Sequence, residues 1–116
     1  MEIWINPACS KCRTATAALD EAGVEYTVRR YLDEPPTRAE LAEVLARLDL
    51  EPWQIVRTDE PEGVAVQDLP RTPAAREAWV QAMVEHPQLI QRPIITADDG
   101  TAVLARDPET LAGLLD

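Results

Sequence analysis

The sequence predicts an α/β domain: a four-stranded mixed sheet with helices on both faces, and a helical insertion between a βαβ unit and a C-terminal β-hairpin. Three observations predict it. The apolar run Ile3-Trp4-Ile5, the helically spaced Ala15, Ala18, Leu19 and Ala22, and the β-branched and aromatic stretch Val24–Leu32 read in order as strand, helix and strand. Far along the chain, Pro93–Ala97 and Thr101–Leu104 flank Asp98-Asp99-Gly100, two strands around a tight turn. Between these units the apolar residues recur at helical spacing.

Taken in order, the first helix stops at Gly23, and a parallel pair joined by such a crossover helix is right-handed, with its functional loop at the carboxyl end of the first strand. Asp33-Glu34-Pro35-Pro36 is a break, after which Thr37 and Glu40 form a capping box ahead of the apolar stripe Leu41, Val44, Leu45 and Leu48. Pro52 opens a short helical turn through Trp53, Ile55 and Val56, with Arg57 directly after it. Residues 58–70 collect acids, two prolines and Gly63, the composition of a surface loop. A helix resumes near Pro73 and runs to about Glu85, with Trp79 and Met83 four apart on its buried side. Asp107-Pro108-Glu109 opens the last helix, whose apolar face is Leu111, Leu114 and Leu115.

At 116 residues the chain has the length of one domain, 1–116, with a single modest core. No stretch approaches a membrane span, and the N-terminus reads as a strand with no signal segment, so a cytoplasmic protein is expected. The formal net charge of -10 argues against nucleic acid as a ligand, because phosphate backbones are held by clustered positive charge. Lys11 is the single lysine, and the other cations are arginines, suited to two-point recognition of oxyanions.

The chemistry concentrates in Asn6-Pro7-Ala8-Cys9-Ser10-Lys11-Cys12-Arg13, which holds both cysteines of the chain. A cysteine at a loop-to-helix junction faces the unpaired N–H groups of the first turn, whose partial positive charge favours thiolate over thiol. Cys9 stands there, and Lys11 and Arg13 are expected to add charge that lowers its pKa below the free value of about 8.5. Cys12, three residues on, lies on the same helical face and could resolve an adduct on Cys9. A zinc site lacks ligands, since no third cysteine exists and His86 is the sole histidine; no metal is expected. A permanent disulfide would close a very small loop, and two inert packed thiols are the remaining alternative. Two close cysteines with no disulfide framework fit a reducing compartment.

These residues resemble the ArsC family of glutaredoxin-coupled arsenate reductases. The resemblance rests on Asn6-Pro7-Ala8-Cys9 with Arg13, Tyr31-Leu32 before Pro35-Pro36, Arg57 before Glu60-Pro61, His86–Ile94 with its Arg92-Pro93-Ile94 strand entry, and Arg106 near Pro108. It implies a thioredoxin-like fold, a catalytic Cys9, and Arg57, Arg92 and Arg106 around the arsenate oxygens, with Asn6, Arg13 and Pro93 in support. It further implies no bound cofactor, glutathione as co-substrate, and glutaredoxin or a thioredoxin-like reductant as partner. Pro93 resembles the proline that opens the third strand of such folds, where a cis bond sets the preceding backbone beside the reactive cysteine. A trans bond is the alternative there.

The chain differs from the family pattern in having Ile5 where many members carry histidine, Cys12 as a second thiol, Gly63 where an aromatic is common, and Asp107 between Arg106 and Pro108. The added Cys12 opens two other readings. The pair resembles that of Spx-type regulators, a redox switch acting on an RNA polymerase partner. It also suits a general glutaredoxin-like thiol oxidoreductase whose arginines hold peptide carboxylates.

Overall fold

A computed structural model describes residues 1–115. In chain order the elements are β1 (Glu2–Ile5), α1 (Ser10–Glu21), β2 (Thr27–Arg30), α2 (Arg38–Leu48), α3 (Arg76–Glu85), β3 (Ile94–Thr96), β4 (Ala102–Leu104) and α4 (Pro108–Leu115), with short 3-10 turns between α2 and β3. They divide into two compact units, one formed by Met1–Glu34 with the chain from Arg92 onward and the other by Pro35–Gln91.

The first unit holds a four-stranded sheet in the order β2-β1-β3-β4. The β1–β2 pair is parallel with Ile3 opposite Val28, while β1–β3 and β3–β4 are antiparallel, with Ile3 opposite Ile95 and Ile95 opposite Val103. The mixed sheet expected from the sequence is therefore present. Side chains alternate along a strand, so Ile3 and Ile95 share one face. There they join Ala15 and Leu19 of α1, Ala105, and Leu111 of α4 in a buried cluster. Each fully buried Leu or Ile of this kind contributes about 1.5–3 kcal/mol relative to exposure. Leu114 packs against the cluster; the side chain of Leu115, expected on the same face, lies outside the described residues. On the opposite face of β1, Trp4 is buried, donates its indole N–H to Glu2, and lies under the Arg29 guanidinium at 5.2 Å.

Strand β2 is shorter than the stretch 24–32 that composition favours. Gly23, at φ 72°, ends α1 in a paired cap in which Gly23 N–H donates to the Asp20 carbonyl and Val24 N–H to Leu19. That cap uses the first residues of the expected strand. Beyond Arg30, the N–H groups of Asp33 and Glu34 both turn back to the Arg30 carbonyl, which ends pairing on that side.

In the second unit the capping box is present: Glu40 N–H donates to the Thr37 hydroxyl at 3.1 Å, and Thr37 N–H to the Glu40 carboxylate at 3.0 Å. Leu41, Val44 and Leu45 of α2 and Trp79, Val80, Ala82 and Met83 of α3 are buried. Trp53 meets Trp79 edge-on at 6.2 Å, and the Trp79 indole N–H donates to the Pro70 carbonyl. Residues 58–70 are more ordered than a surface loop. They contain a 3-10 turn, Pro61–Ala65, with Gly63 and Val66 buried. A Cβ at Gly63 would stand 2.6 Å from the Thr58 carbonyl oxygen, so the turn closes over its own start and only glycine fits.

Candidate active site

The site grows from the end of β1. After Ile5, the Asn6 side-chain carbonyl accepts the Ala8 N–H at 3.0 Å and the Asn6 backbone carbonyl accepts the Cys9 N–H at 2.9 Å, a tight turn that sets Cys9 at the N-cap of α1. Asn6 thus shapes the loop. Cys9 has extended dihedrals, φ -88° and ψ 126°, which carry its sulfur to the open end of the helix.

Burial alone would raise the Cys9 pKa, but it is outweighed by the Cys12 N–H, the Arg92 guanidinium, the Cys12 thiol and the Lys11 N–H, which together lower it to about 7. The helix start therefore acts through its backbone. The exposed Lys11 and Arg13 side chains are not among the groups that lower it, contrary to their expected part; the positive charge that counts at the sulfur is Arg92.

Cys12 is a free thiol, 1 % exposed. Burial pushes its pKa up to about 12, and the neighbouring Cys9 charge adds to the rise, against the opposing pull of Asn6 backbone and Arg92. Two thiols three residues apart thus differ by several units. Cys9 is ready to ionise at neutral pH, while the buried Cys12 stays protonated.

Arg92 precedes a cis peptide bond to Pro93. Its Nε and Nη1 are shielded from solvent and have no hydrogen-bond partner among the described residues, so they are free to donate to an anion. Arg106 lies against the same segment, its Nη1 donating to the Arg92 carbonyl at 2.7 Å. Arg92, Arg106, Cys9 and Cys12 all belong to the first unit.

Arg57 belongs to the second unit. Its backbone N–H donates to the Leu89 carbonyl, and its guanidinium is engaged by Glu60 through Nη1 and by Asp59 at 3.7 Å through Nη2. Its side chain is 17 % exposed. Glu60 is thus a carboxylate partner that the position of Arg57 after a helical turn did not announce. Arg13 is exposed one turn into α1. Among the described residues no cluster of three His, Cys, Asp or Glu side chains could hold a metal ion, and no helix is long and apolar enough to cross a membrane.

A cysteine at a helix start whose thiolate is favoured by a guanidinium with unused donors has the chemistry to attack an anion that the guanidinium could hold. The comparisons with known proteins agree with that geometry, since residues 4–114 match the ArsC family. The chain belongs to the ArsC family. It is 56 % identical over 117 residues to an uncharacterized protein in the glnII region of Streptomyces viridochromogenes, covering 99 % of this chain and 98 % of that one. It is 38 % identical over 115 residues to an arsenate reductase of Rhizobium meliloti, covering 97 % of this chain and 79 % of that one. Among solved structures, a putative arsenate reductase from Yersinia pestis superposes with a TM-score of 0.85 at 33 % identity, covering 97 % of both chains. The fold is the thioredoxin-like α/β fold of these ArsC proteins.

Proposed function

We propose that this ArsC protein is an arsenate reductase in which Cys9 is the nucleophile. The observation that carries the reading is the Cys9 sulfur, with a pKa of about 7, beside an Arg92 guanidinium whose Nε and Nη1 are buried and unpaired. A tetrahedral dianion repels a thiolate unless its charge is first neutralised, and fixed guanidinium donors do this without reorganising. The relatives named arsenate reductase supply the substrate.

Cys9 sulfur attacks arsenic; an S–As bond forms, an As–O bond breaks, and the departing oxygen takes up protons and leaves as water. A second thiol then attacks the Cys9 sulfur. The new S–S bond forms as the S–As bond breaks with its electron pair left on arsenic, so As(V) becomes As(III), the thiols are oxidised, and arsenite departs. In the family pattern the second thiol is glutathione, and glutaredoxin clears the mixed disulfide. Cys12 gives a second route that needs only a dithiol reductant, because it is a free thiol on the same helical turn as Cys9 and is one of the groups that lower the Cys9 pKa. Once Cys9 is esterified its negative charge is gone, which removes one of the causes holding the Cys12 pKa high. Arg57 joins the oxyanion ligands in this proposal through the family correspondence. The reaction suits the reducing cytoplasm.

Coupled NADPH consumption with arsenate tests the reading: turnover with glutathione and glutaredoxin, lost in Cys9→Ser, is expected. Absence of turnover with every thiol reductant would overturn it. Mass spectrometry of the oxidised product then separates a Cys9–Cys12 bond from a glutathione adduct. Two free thiols three residues apart also favour a second reading, a general thiol oxidoreductase; reduction of glutathionylated peptides without arsenate turnover would select it.

A further inference from the structure

A groove of about 350 Å³ lies between α1 and α4 in the first unit, within the range of about 300–1,000 Å³ that holds small molecules. It is open because its walls are small: α1 presents Ala15 and Ala18, and the other side is Ala105 with Leu111 and Ala112 of α4. Lys11, on the first turn of α1, lines it at the end nearer Cys9. With 21 acidic and 11 basic side chains, the chain has carboxylates to spare, and Arg38, Arg47, Arg57 and Arg76 each take one. Lys11 forms no hydrogen bond or ion pair among the described residues. The groove also holds the opposite charge. Asp107 lines it, fixed at the start of α4 by the Thr110 N–H and hydroxyl, which donate to its carboxylate at 2.7 and 2.9 Å. Those two bonds hold the Asp107 carboxyl below the usual carboxylate range, and the Lys11 charge adds to the effect. An ammonium and a carboxylate therefore share one groove without closing on each other.

We infer that this groove holds the amino-acid head group of a small peptide thiol, its carboxylate on Lys11 and its ammonium on Asp107, and so delivers the second thiol to Cys9. The inference rests on the reading of Cys9 as nucleophile and deepens it by naming where the reductant docks. A zwitterion, with both charges on one carbon, matches the separated pair; an anion alone would meet Asp107, and a cation alone would meet Lys11. The alanine walls suit the methylenes that join such a head group to its cysteine, as in the γ-glutamyl chain of glutathione. The thiol has little distance to cover, because α1 rises about 1.5 Å per residue and Lys11 is therefore about 3 Å along the axis from Cys9. Arg106, one of the arginines expected around the arsenate oxygens, lines the groove as well. The docked thiolate attacks the Cys9 sulfur, and the S–S bond forms as the S–As bond breaks with its electron pair left on arsenic. Asp107 is one of the residues at which this chain differs from the family pattern.

The test follows attack on Cys9 with no arsenate present. In a Cys12→Ser background, or Cys12→Ala if serine does not fold, Cys9 is converted by 2,2′-dithiodipyridine to its uncharged pyridyl disulfide. An added thiol then forms a new S–S bond with Cys9 and releases thiopyridone, which is read by absorbance. The probes are glutathione, glutaryl-cysteinylglycine, which lacks the ammonium, and the neutral 2-mercaptoethanol, each compared with itself across variants. Lys11→Met should slow glutathione about three- to five-fold, the scale of one partly exposed ion pair, and leave 2-mercaptoethanol unchanged. Asp107→Asn, which keeps a side-chain cap for α4, should slow glutathione by a similar factor and glutaryl-cysteinylglycine not at all, a cycle between ligand and protein. Ala112→Leu, which fills the groove from an exposed position, should slow both peptides and spare 2-mercaptoethanol. Unchanged glutathione rates in Lys11→Met and Asp107→Asn overturn the inference and leave the groove to another occupant, such as a protein reductant. Equal losses with glutathione and 2-mercaptoethanol also overturn it, since they report the reactivity of Cys9 itself. A Cys9 that takes up no pyridyl group would sink the nucleophile reading and the groove's task with it. Failure to turn over arsenate leaves the assay readable.

Discussion

Replacing Cys12 with serine should change how stability depends on alkaline pH, by an amount that follows from where the thiol sits. Cys12 is 1 % exposed, and its pKa is pushed up to about 12, chiefly by burial. In the unfolded chain the same thiol titrates at about 8.5. A group whose folded pKa is raised contributes stability that is fully present below its unfolded pKa and is lost as pH rises toward its folded value. Each pH unit in that window costs about 1.4 kcal/mol, so the wild-type protein should lose about 2 kcal/mol between pH 7.5 and pH 10 on account of Cys12. Cys9 runs the other way: its folded pKa, about 7, is depressed, so its contribution is present above about pH 8.5 and lost as pH falls through 7. The assay is urea unfolding at pH 7.5, 8.5 and 10, with a phosphine reductant keeping both thiols free. Cys12→Ser has its own cost at pH 7.5, but the gap between the variant and wild type should shift in the variant's favour by about 2 kcal/mol by pH 10. Parallel stability profiles across this range would refute the argument, since they would mean that Cys12 ionises as easily folded as unfolded.

Other outcomes follow from the same structure. At pH 7 iodoacetamide should label Cys9 in large excess over Cys12, because one thiol is about half ionised and the other is protonated and buried; equal labelling of the folded, reduced protein would contradict the split. Gly63→Ala brings a Cβ to 2.6 Å from the Thr58 carbonyl and should cost about 1–3 kcal/mol in urea melts, with neutrality showing that the turn opens freely. Leu19→Ala removes a fully buried side chain from the cluster of Ile3, Ile95 and Leu111 and should cost about 2–5 kcal/mol, a loss below 1 kcal/mol placing Leu19 outside the core. Cys12→Ser retaining full arsenate turnover with glutathione and glutaredoxin, while losing it with a dithiol reductant alone, would assign Cys12 to the second route only.

What the sequence makes legible here is whatever short-range chemistry dictates. The Thr37 and Glu40 capping box, the hairpin around Asp98-Asp99-Gly100 and the helix start at Cys9 each depend on a few adjacent residues, and each stands in the structure as expected. The burial of Cys12 was also within reach, because Cys12, Ala15 and Leu19 fall on one helical face and all three are buried. Where the sequence misleads, a second structure competes for the same residues: Val24 has the composition of a strand, but its N–H closes the end of α1, so β2 begins later. The turn at Pro61–Ala65 looked like a loop because its compactness comes from what Gly63 lacks rather than from any apolar pattern.

The arginines show the deeper boundary between pattern and geometry. The family resemblance singles out three of them, yet a guanidinium on a long stem can end on a carboxylate, a carbonyl or nothing. Arg57 ends on Glu60, Arg106 on a backbone carbonyl, and Arg92 keeps two nitrogens unpaired. Arg92 is the cation among the groups that lower the Cys9 pKa, and two of its buried nitrogens have no partner among the described residues, which is why the proposed reaction gives it the task of neutralising charge at Cys9. The hairpin pairs Ile94 with Leu104, and that register carried two residues further places residue 106 across from residue 92. A pairing of two like charges there is unfavourable unless one of them is turned onto a neutral acceptor, and the Arg92 carbonyl is that acceptor.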